Sequence, residues 1–197
     1  MKTITFGNYW QSNNYDKEPI EWYVLKKEEN NALIISRNVL DSQIYDTDYE
    51  SYTTWETSSL REWLNDTFIN NAFSTDEQKM ILNSFVSADK NPSYDTPSGN
   101  NTNDKAFLLS IIEAKELFNS DEARLCQATL YAKEHGALSL NRTDDENCFW
   151  WLRTPGYGSD GAAIVRTDGS IYNYGVTIHC GLGVRPALWI SLNKASD

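Results

Sequence analysis

Apolar and polar residues alternate at the start of this chain, take helical spacing in its middle, and return to alternation near its end. Ile4 to Trp10 alternates loosely and reads as a first strand. Pro19 to Lys27 reads as a second, with Ile20, Trp22 and Val24 on one face and Glu21, Tyr23 and Leu25 on the other. Glu28-Glu29-Asn30-Asn31 supplies turn residues, and Ala32 to Ser36 returns as the third strand of a hairpin. Ser42 to Trp55, rich in Tyr, Asp and Thr, reads as a loop. Three helix starts follow, at Ser59/Glu62, Ser74/Glu77 and Ser110/Glu113. Each has the spacing of a capping box, in which serine and glutamate side chains each satisfy the other residue's backbone N–H. The first helix carries Leu60, Trp63, Leu64 and Phe68 on one face, the second runs through Met80 and Ile81, and the third follows an apolar strand, Ala106 to Leu109. A fourth helix is expected over Asp121 to Glu134, stopped by Gly136. Strands resume at 148–153, 162–166, 170–174 and 184–192, with Asp168-Gly169 as a hairpin turn. Residues 89 to 105 are Asn, Asp, Pro, Ser, Thr and Gly almost throughout, the composition of a surface loop rather than a domain linker. The expected fold class is α+β, antiparallel strands with embedded helices, in a single domain over 1–197.

Composition sharpens this in one stretch. Residues 157 to 182 contain no Lys, Glu, Gln, Met or Trp, although the rest of the chain uses all five. Tyr, Asn, Ser, Thr, Asp, His and Gly fill the segment, and rigid blocks flank it, Phe149 to Gly156 on one side and Gly183 to Ile190 on the other. Tyrosine offers large contact area at low entropy cost and Ser, Gly and Asn adapt their hydrogen bonds, which is the chemistry of a paratope. A Gly-rich strand-and-turn segment also avoids long charged side chains, so composition alone leaves both readings open.

The formal net charge of −11 argues against nucleic acid or anionic membrane as partner, since basic patches read both. No apolar run approaches the roughly 20 residues of a membrane span, and no signal peptide is evident, so synthesis and folding in the cytoplasm are expected, which is compatible with release on a phage particle. Seven Trp, eleven Tyr and seven Phe supply enough apolar area for a core without disulfides. Cys126, Cys148 and Cys180 are too scattered for a disulfide framework. Trp150, Trp151 and Trp189 read as core rather than a carbohydrate platform. Arg153 and Arg185, between apolar neighbours, read as buried partners of carboxylates. Asp144-Asp145-Glu146 and Asp46-x-Asp48 could hold a structural calcium ion, but neither follows EF-hand spacing, and no cofactor is expected. The two histidines, His135 and His179, belong to no hydrolase, zinc or phosphate-binding motif.

Longer motifs carry a resemblance. Pro19-Ile20-Glu21-Trp22-Tyr23-Val24-Leu25, Ala32-Leu33-Ile34-Ile35-Ser36 and the run from Thr54 to Asn65 resemble a bacterial family of uncharacterised domains. Phe107-Leu108-Leu109-Ser110, the Ala132-Lys133 region, Trp150 to Gly156 and Gly183 to Trp189 continue the match over nearly the whole chain. That family resembles the C-type-lectin-like fold in its formylglycine-generating-enzyme-like branch, whose members often serve as variable proteins of diversity-generating retroelements. In such systems error-prone copying at adenines turns Asn codons into any codon ending in a pyrimidine, and such codons cannot encode the five residue types missing from 157 to 182. The resemblance implies diversified, ligand-binding positions at Tyr157, Asp160, Ile164, Arg166, Tyr172, Asn173, Tyr174, Val176, Thr177, His179, Cys180 and Leu182. Ala162, Ala163, Val165, Asp168, Gly169, Ile171, Gly175 and Ile178 would stay fixed. Three consecutive candidates at Tyr172-Asn173-Tyr174 break strand alternation, which favours an exposed loop there. The implied function is recognition of a protein or glycan on a cell surface rather than catalysis, with Tyr157, Tyr172 and Tyr174 as anchors and Asp160, Asn173, Thr177 and His179 as polar contacts. Two alternatives stand beside it. One is a formylglycine-generating-enzyme-like oxidase, although the three cysteines do not sit in that branch's copper-binding motif. The other is a structural phage or envelope module.

Overall fold

A computed structural model describes residues 1–48, 52–138 and 147–193. Strands β1 (Thr3–Trp10), β2 (Lys17–Glu28) and β3 (Asn31–Ser36) come first, followed by the short β4 (Asp41–Gln43). Helix α1 (Ser59–Trp63) passes through a π-helical turn, Leu64–Phe68, into α2 (Ile69–Ala72), and α3 (Thr75–Met80) follows. Strands β5 (Ser84–Val86) and β6 (Thr102–Asp104) bracket a long loop, and α4 (Ile111–Leu117), α5 (Asp121–Arg124) and α6 (Leu130–Glu134) lead to the final strands. These are β7 (Trp150–Pro155), β8 (Gly161–Val165), β9 (Ile171–Thr177), β10 (Leu182–Val184) and β11 (Ala187–Ser191). The architecture is α+β.

One sheet has the order β1-β2-β3-β11 and is antiparallel throughout, so the first three strands and the last one share it. The other has the order β4-β10-β7-β8-β9, antiparallel except for the β10–β7 pair. β5 and β6 pair by themselves. The period-two pattern of β2 buries Ile20 and Trp22, and the Trp22 indole donates to the Phe6 carbonyl at 2.7 Å. Ile34 and Ile35 from one sheet join Trp150, Leu152 and Val184 from the other in a buried cluster that also takes Leu60, Leu64 and Phe68 from the helices. Each such side chain contributes on the order of 1.5–3 kcal/mol by leaving water.

The capping boxes at Ser74/Glu77 and Ser110/Glu113 are present with both arms formed. The first helix starts one residue earlier than expected. Ser58 is its cap and accepts from the Arg61 N–H, while the Ser59 hydroxyl accepts from the Thr47 N–H, so no box forms. The expected helix over 121–134 is two short ones. Val39 breaks it by donating to the Gln127 carbonyl at 3.0 Å and accepting from the Thr129 N–H at 3.0 Å. The start of the expected loop over Ser42 to Trp55 is taken by the end of β4, Asp41–Gln43, which pairs with β10. The Ala106 to Leu109 run is buried but makes a single bridge, Phe107 to Ala187, rather than a ladder strand.

The expected strand over 184–192 is split between the two sheets, with Arg185 and Pro186 at the crossing. Arg185 is 0% exposed and, among the described residues, is not paired with a carboxylate. Its guanidinium donates to the Ser36 and Arg124 carbonyls at 3.0 and 3.3 Å and lies 5.0 Å from the Trp150 ring and 5.3 Å from the Phe118 ring. The crossing brings ring faces and carbonyls to this point, and cation–π attraction stands in for a counter-ion. Arg153 does have carboxylates, Glu113 in a forked contact and Asp89 at 3.3 Å. Trp150 and Trp151 are fully buried, and Trp189 is half-buried.

Candidate ligand-binding surface

Residues 157 to 182 contain β8 and β9, a hairpin whose second strand is the outer edge of the five-stranded sheet. The turn at Asp168-Gly169 forms as expected, with the Gly169 N–H donating to the Arg166 carbonyl at 2.9 Å. Ser170 donates to the Asp168 carboxylate through its hydroxyl and its N–H, which holds that carboxyl below its ordinary range. Tyr172-Asn173-Tyr174 is not a loop but part of β9. The register shifts there, because Ala162 pairs with Val176 while Ile164 pairs with Tyr172. The extra residues bulge outward, and the Tyr174 carbonyl turns to accept from the Tyr157 N–H at 2.7 Å. Gly175 makes this possible. Its φ is +83°, and a Cβ there would lie 2.8 Å from the Ala162 carbonyl oxygen and 2.9 Å from the Gly156 Cα.

The loop between β5 and β6 is more than surface. Asn91 and Thr96 are buried in it and reach across to the main chain of the candidate segment. The Asn91 side-chain amide donates to the Pro155 carbonyl at 2.8 Å and the Asn173 carbonyl at 2.7 Å. The Thr96 hydroxyl contacts the carbonyls of Gly156 at 2.8 Å and Tyr157 at 2.7 Å. From the other side, the Thr53 N–H donates to the Ser159 carbonyl, and the Tyr45 and Asp46 N–H groups donate to the Ile178 carbonyl. The segment is therefore pinned through its backbone by residues outside it. Asn91 and Thr96 each precede a proline, Pro92 and Pro97. Proline confines the preceding residue to extended backbone, so these dipeptides were the signal available in the sequence.

The side chains divide clearly. Tyr157 is 60% exposed and Tyr174 49%. Their rings stack with centroids 5.1 Å apart and planes 2° from parallel, and Tyr94 stands edge-on to both at 5.2 and 6.0 Å. Tyr172 is half-buried, 6.1 Å from Tyr174, and carries the Arg166 guanidinium 4.0 Å over its ring. Asp160, Arg166 and Thr177 are exposed, and Asn173, half-buried, donates to the Ser93 hydroxyl at 2.7 Å. A depression of about 350 Å³ is lined by Tyr157, Asp160, Tyr174, Val176 and Thr177 among others. Tyr94 and Asp95, which the sequence reading passed over, line an adjoining one with Tyr157.

Two candidates do not belong to this surface. Ile164 is 2% exposed and Leu182 5%, both in the core, because β8 and β10 are interior strands of their sheet. Val176 and Cys180 are half-buried against the core. His179 is half-buried beside Asp46, its Nδ1 3.1 Å from the Asp46 carbonyl oxygen, some way along the chain from the tyrosines.

The Asp46 carboxylate is engaged by protein donors: the Thr53 hydroxyl at 2.6 Å and the N–H groups of Asp48 and Ser59 at 3.3 Å. Asp144-Asp145-Glu146 lies outside the described residues. Among the described residues no group of three His, Cys, Asp or Glu side chains gathers as metal ligands would. Cys126 and Cys148 are buried and the Cys148 N–H donates to the Cys126 carbonyl at 2.8 Å. Burial pushes the Cys148 thiol up to about 12 and raises Cys126 as well, which keeps both protonated and poor nucleophiles.

Fold and surface together define an α+β domain with a tyrosine-lined edge strand held by its neighbours' side chains. The chain belongs to the family described as Domain of unknown function (DUF6273), whose model matches residues 29–192. No curated protein and no solved structure matches the chain.

Proposed function

We propose that this protein is a ligand-binding protein that presents an interchangeable recognition surface, the role of a variable protein of a diversity-generating retroelement, on a C-type-lectin-like frame. Its partner is a protein or glycan on a cell surface, and its task is binding rather than catalysis. One observation carries this reading: Asn91 and Thr96 hold the segment and its lead-in by the carbonyls of Pro155, Gly156, Tyr157 and Asn173, while Tyr157 and Tyr174 point their rings into solvent. A frame that grips carbonyls does not depend on which side chains it displays. The rings it holds still are the residue type that anchors paratopes, and pre-ordering them lowers the entropy cost of binding. Among the described residues no helix is long and apolar enough to cross a membrane. Under this proposal the chain folds in the cytoplasm and, in a phage context, travels on the particle.

The double substitution Tyr157→Ala/Tyr174→Ala tests it. Exposed side chains contribute little to folding, so the change in stability is expected to stay within about 0.5 kcal/mol. Capture of the protein's host cells, read by pull-down or flow cytometry, is expected to vanish. Unchanged capture at full folding would refute the assignment of this surface.

A further inference from the structure

We propose that the ladder of Tyr94, Tyr157 and Tyr174 receives an arginine side chain from a basic segment of a partner protein, an inference that rests on the binding role proposed above. Charge is the first observation. The two depressions beside the ladder are lined by Asp160 on one side and Asp95 on the other, and among the described residues no Lys, Arg or His lines either. Both aspartates are exposed. The second observation is geometric. At the far end of the same ladder the chain already makes this contact with itself, the Arg166 guanidinium resting 4.0 Å over Tyr172. Tyr174 is the next ring, 6.1 Å away, and it and Tyr157 remain open to solvent without a cation.

Arginine fits better than lysine for a stated reason. Its guanidinium is planar and weakly hydrated, so it lies on a ring face while its edge donates two parallel bonds to a carboxylate. A guanidinium on Tyr157 or Tyr174 would find Asp95 or Asp160 at the rim. The formal net charge of −11 adds long-range attraction for such a segment and speeds its arrival. A neutral sugar could stack on the same rings but would draw nothing from the two carboxylates.

The probe is a fluorescein-labelled tetra-arginine peptide titrated with the full chain and read by anisotropy. Binding is expected to be at least about threefold tighter than for tetra-lysine, and to weaken as salt rises from about 50 to about 300 mM. Tyr157→Ala/Tyr174→Ala is expected to weaken it by about tenfold or more. Tyr157→Phe/Tyr174→Phe is expected to retain it, since the ring faces remain. Asp95→Asn/Asp160→Asn is expected to weaken it and flatten the salt dependence. Melting curves of each variant keep misfolding apart from lost contact. Peptide binding that survives removal of both tyrosines would overturn the proposal, as it would then be general attraction to an acidic surface. So would an absence of peptide binding together with capture of a neutral oligosaccharide that the tyrosine pair abolishes. That second result leaves the recognition role standing and changes only the ligand.

Discussion

Asn91 holds two carbonyls on one buried amide, that of Pro155 just before the candidate segment and that of Asn173 within it. Removing it leaves those acceptors without a donor, at a cost of about 1–3 kcal/mol, and Asn91→Ala is expected to lower the denaturation midpoint by that much. It should also weaken ligand capture with every tyrosine in place, which a comparison of binding at temperatures well below the melting point would reveal. Asp41 makes a different prediction. It accepts from the Tyr9 hydroxyl at 2.6 Å, yet burial holds its carboxyl above the ordinary value of 3.8. Below that value the group is protonated in both folded and unfolded chains and its contribution is complete. As pH rises through the folded value the buried group must ionise, and the contribution is lost. The stability of the wild type relative to Asp41→Asn is therefore expected to fall as pH is raised from about 3 to about 7, measured by denaturant titration at each pH. At this scale the sequence was readable where a residue's role was local, as with the serine caps of α3 and α4. It was not readable for Arg185, whose ring and carbonyl partners come from Ser36, Phe118, Arg124 and Trp150, far apart along the chain.

Among the elements, the β8–β9 hairpin and the β2–β3 hairpin lay open in the sequence because alternation and turn chemistry are written in adjacent residues. The bulge in β9 did not, since it depends on how Gly156 and Gly175 meet. Three consecutive diversified candidates were a correct sign of irregularity, and the irregularity is a register shift rather than a loop. Helix α5 ends where Val39 pairs with the 127–129 backbone, a contact 88 residues away that no helical periodicity records. Gly175→Ala provides a test at this scale. It pays both a left-handed backbone, roughly 1–2 kcal/mol, and a Cβ within 3 Å of two backbone atoms. Gly136→Ala, at φ +102°, meets among the described residues only the Ser42 hydroxyl at 3.7 Å. Thermal denaturation is expected to rank Gly175→Ala as the more damaging, and equal losses would show that the bulge yields easily.

For the whole molecule, the α+β class and the distinct composition of 157–182 were legible, because the flanking blocks are rich in Trp and aliphatic residues and that segment lacks Lys, Glu, Gln, Met and Trp. What remained hidden was which residues grip the segment. Asn91, Thr96 and Tyr94 lie more than 60 residues before Tyr157 in a stretch whose composition looks like filler. The closing strand gives the molecule-wide prediction. β11 pairs with β3 through Ala187 to Ser191 and adds Leu188 and Ile190 to the core. A chain ending at Gly183 is expected to lose cooperative unfolding and its near-ultraviolet circular dichroism, whereas one ending at Asn193 should keep both.

The order of parts along the gene then acquires a meaning of its own. Because the strand that seals the first sheet is translated after residues 157–182, a chain that stops early or slips frame inside them arrives without its final clasp. Such a product cannot hide its apolar interior and becomes prey for cellular proteases. Under the proposed role, folding would thus inspect each rewritten message for completeness, since only a chain read through to its last strand can close the core.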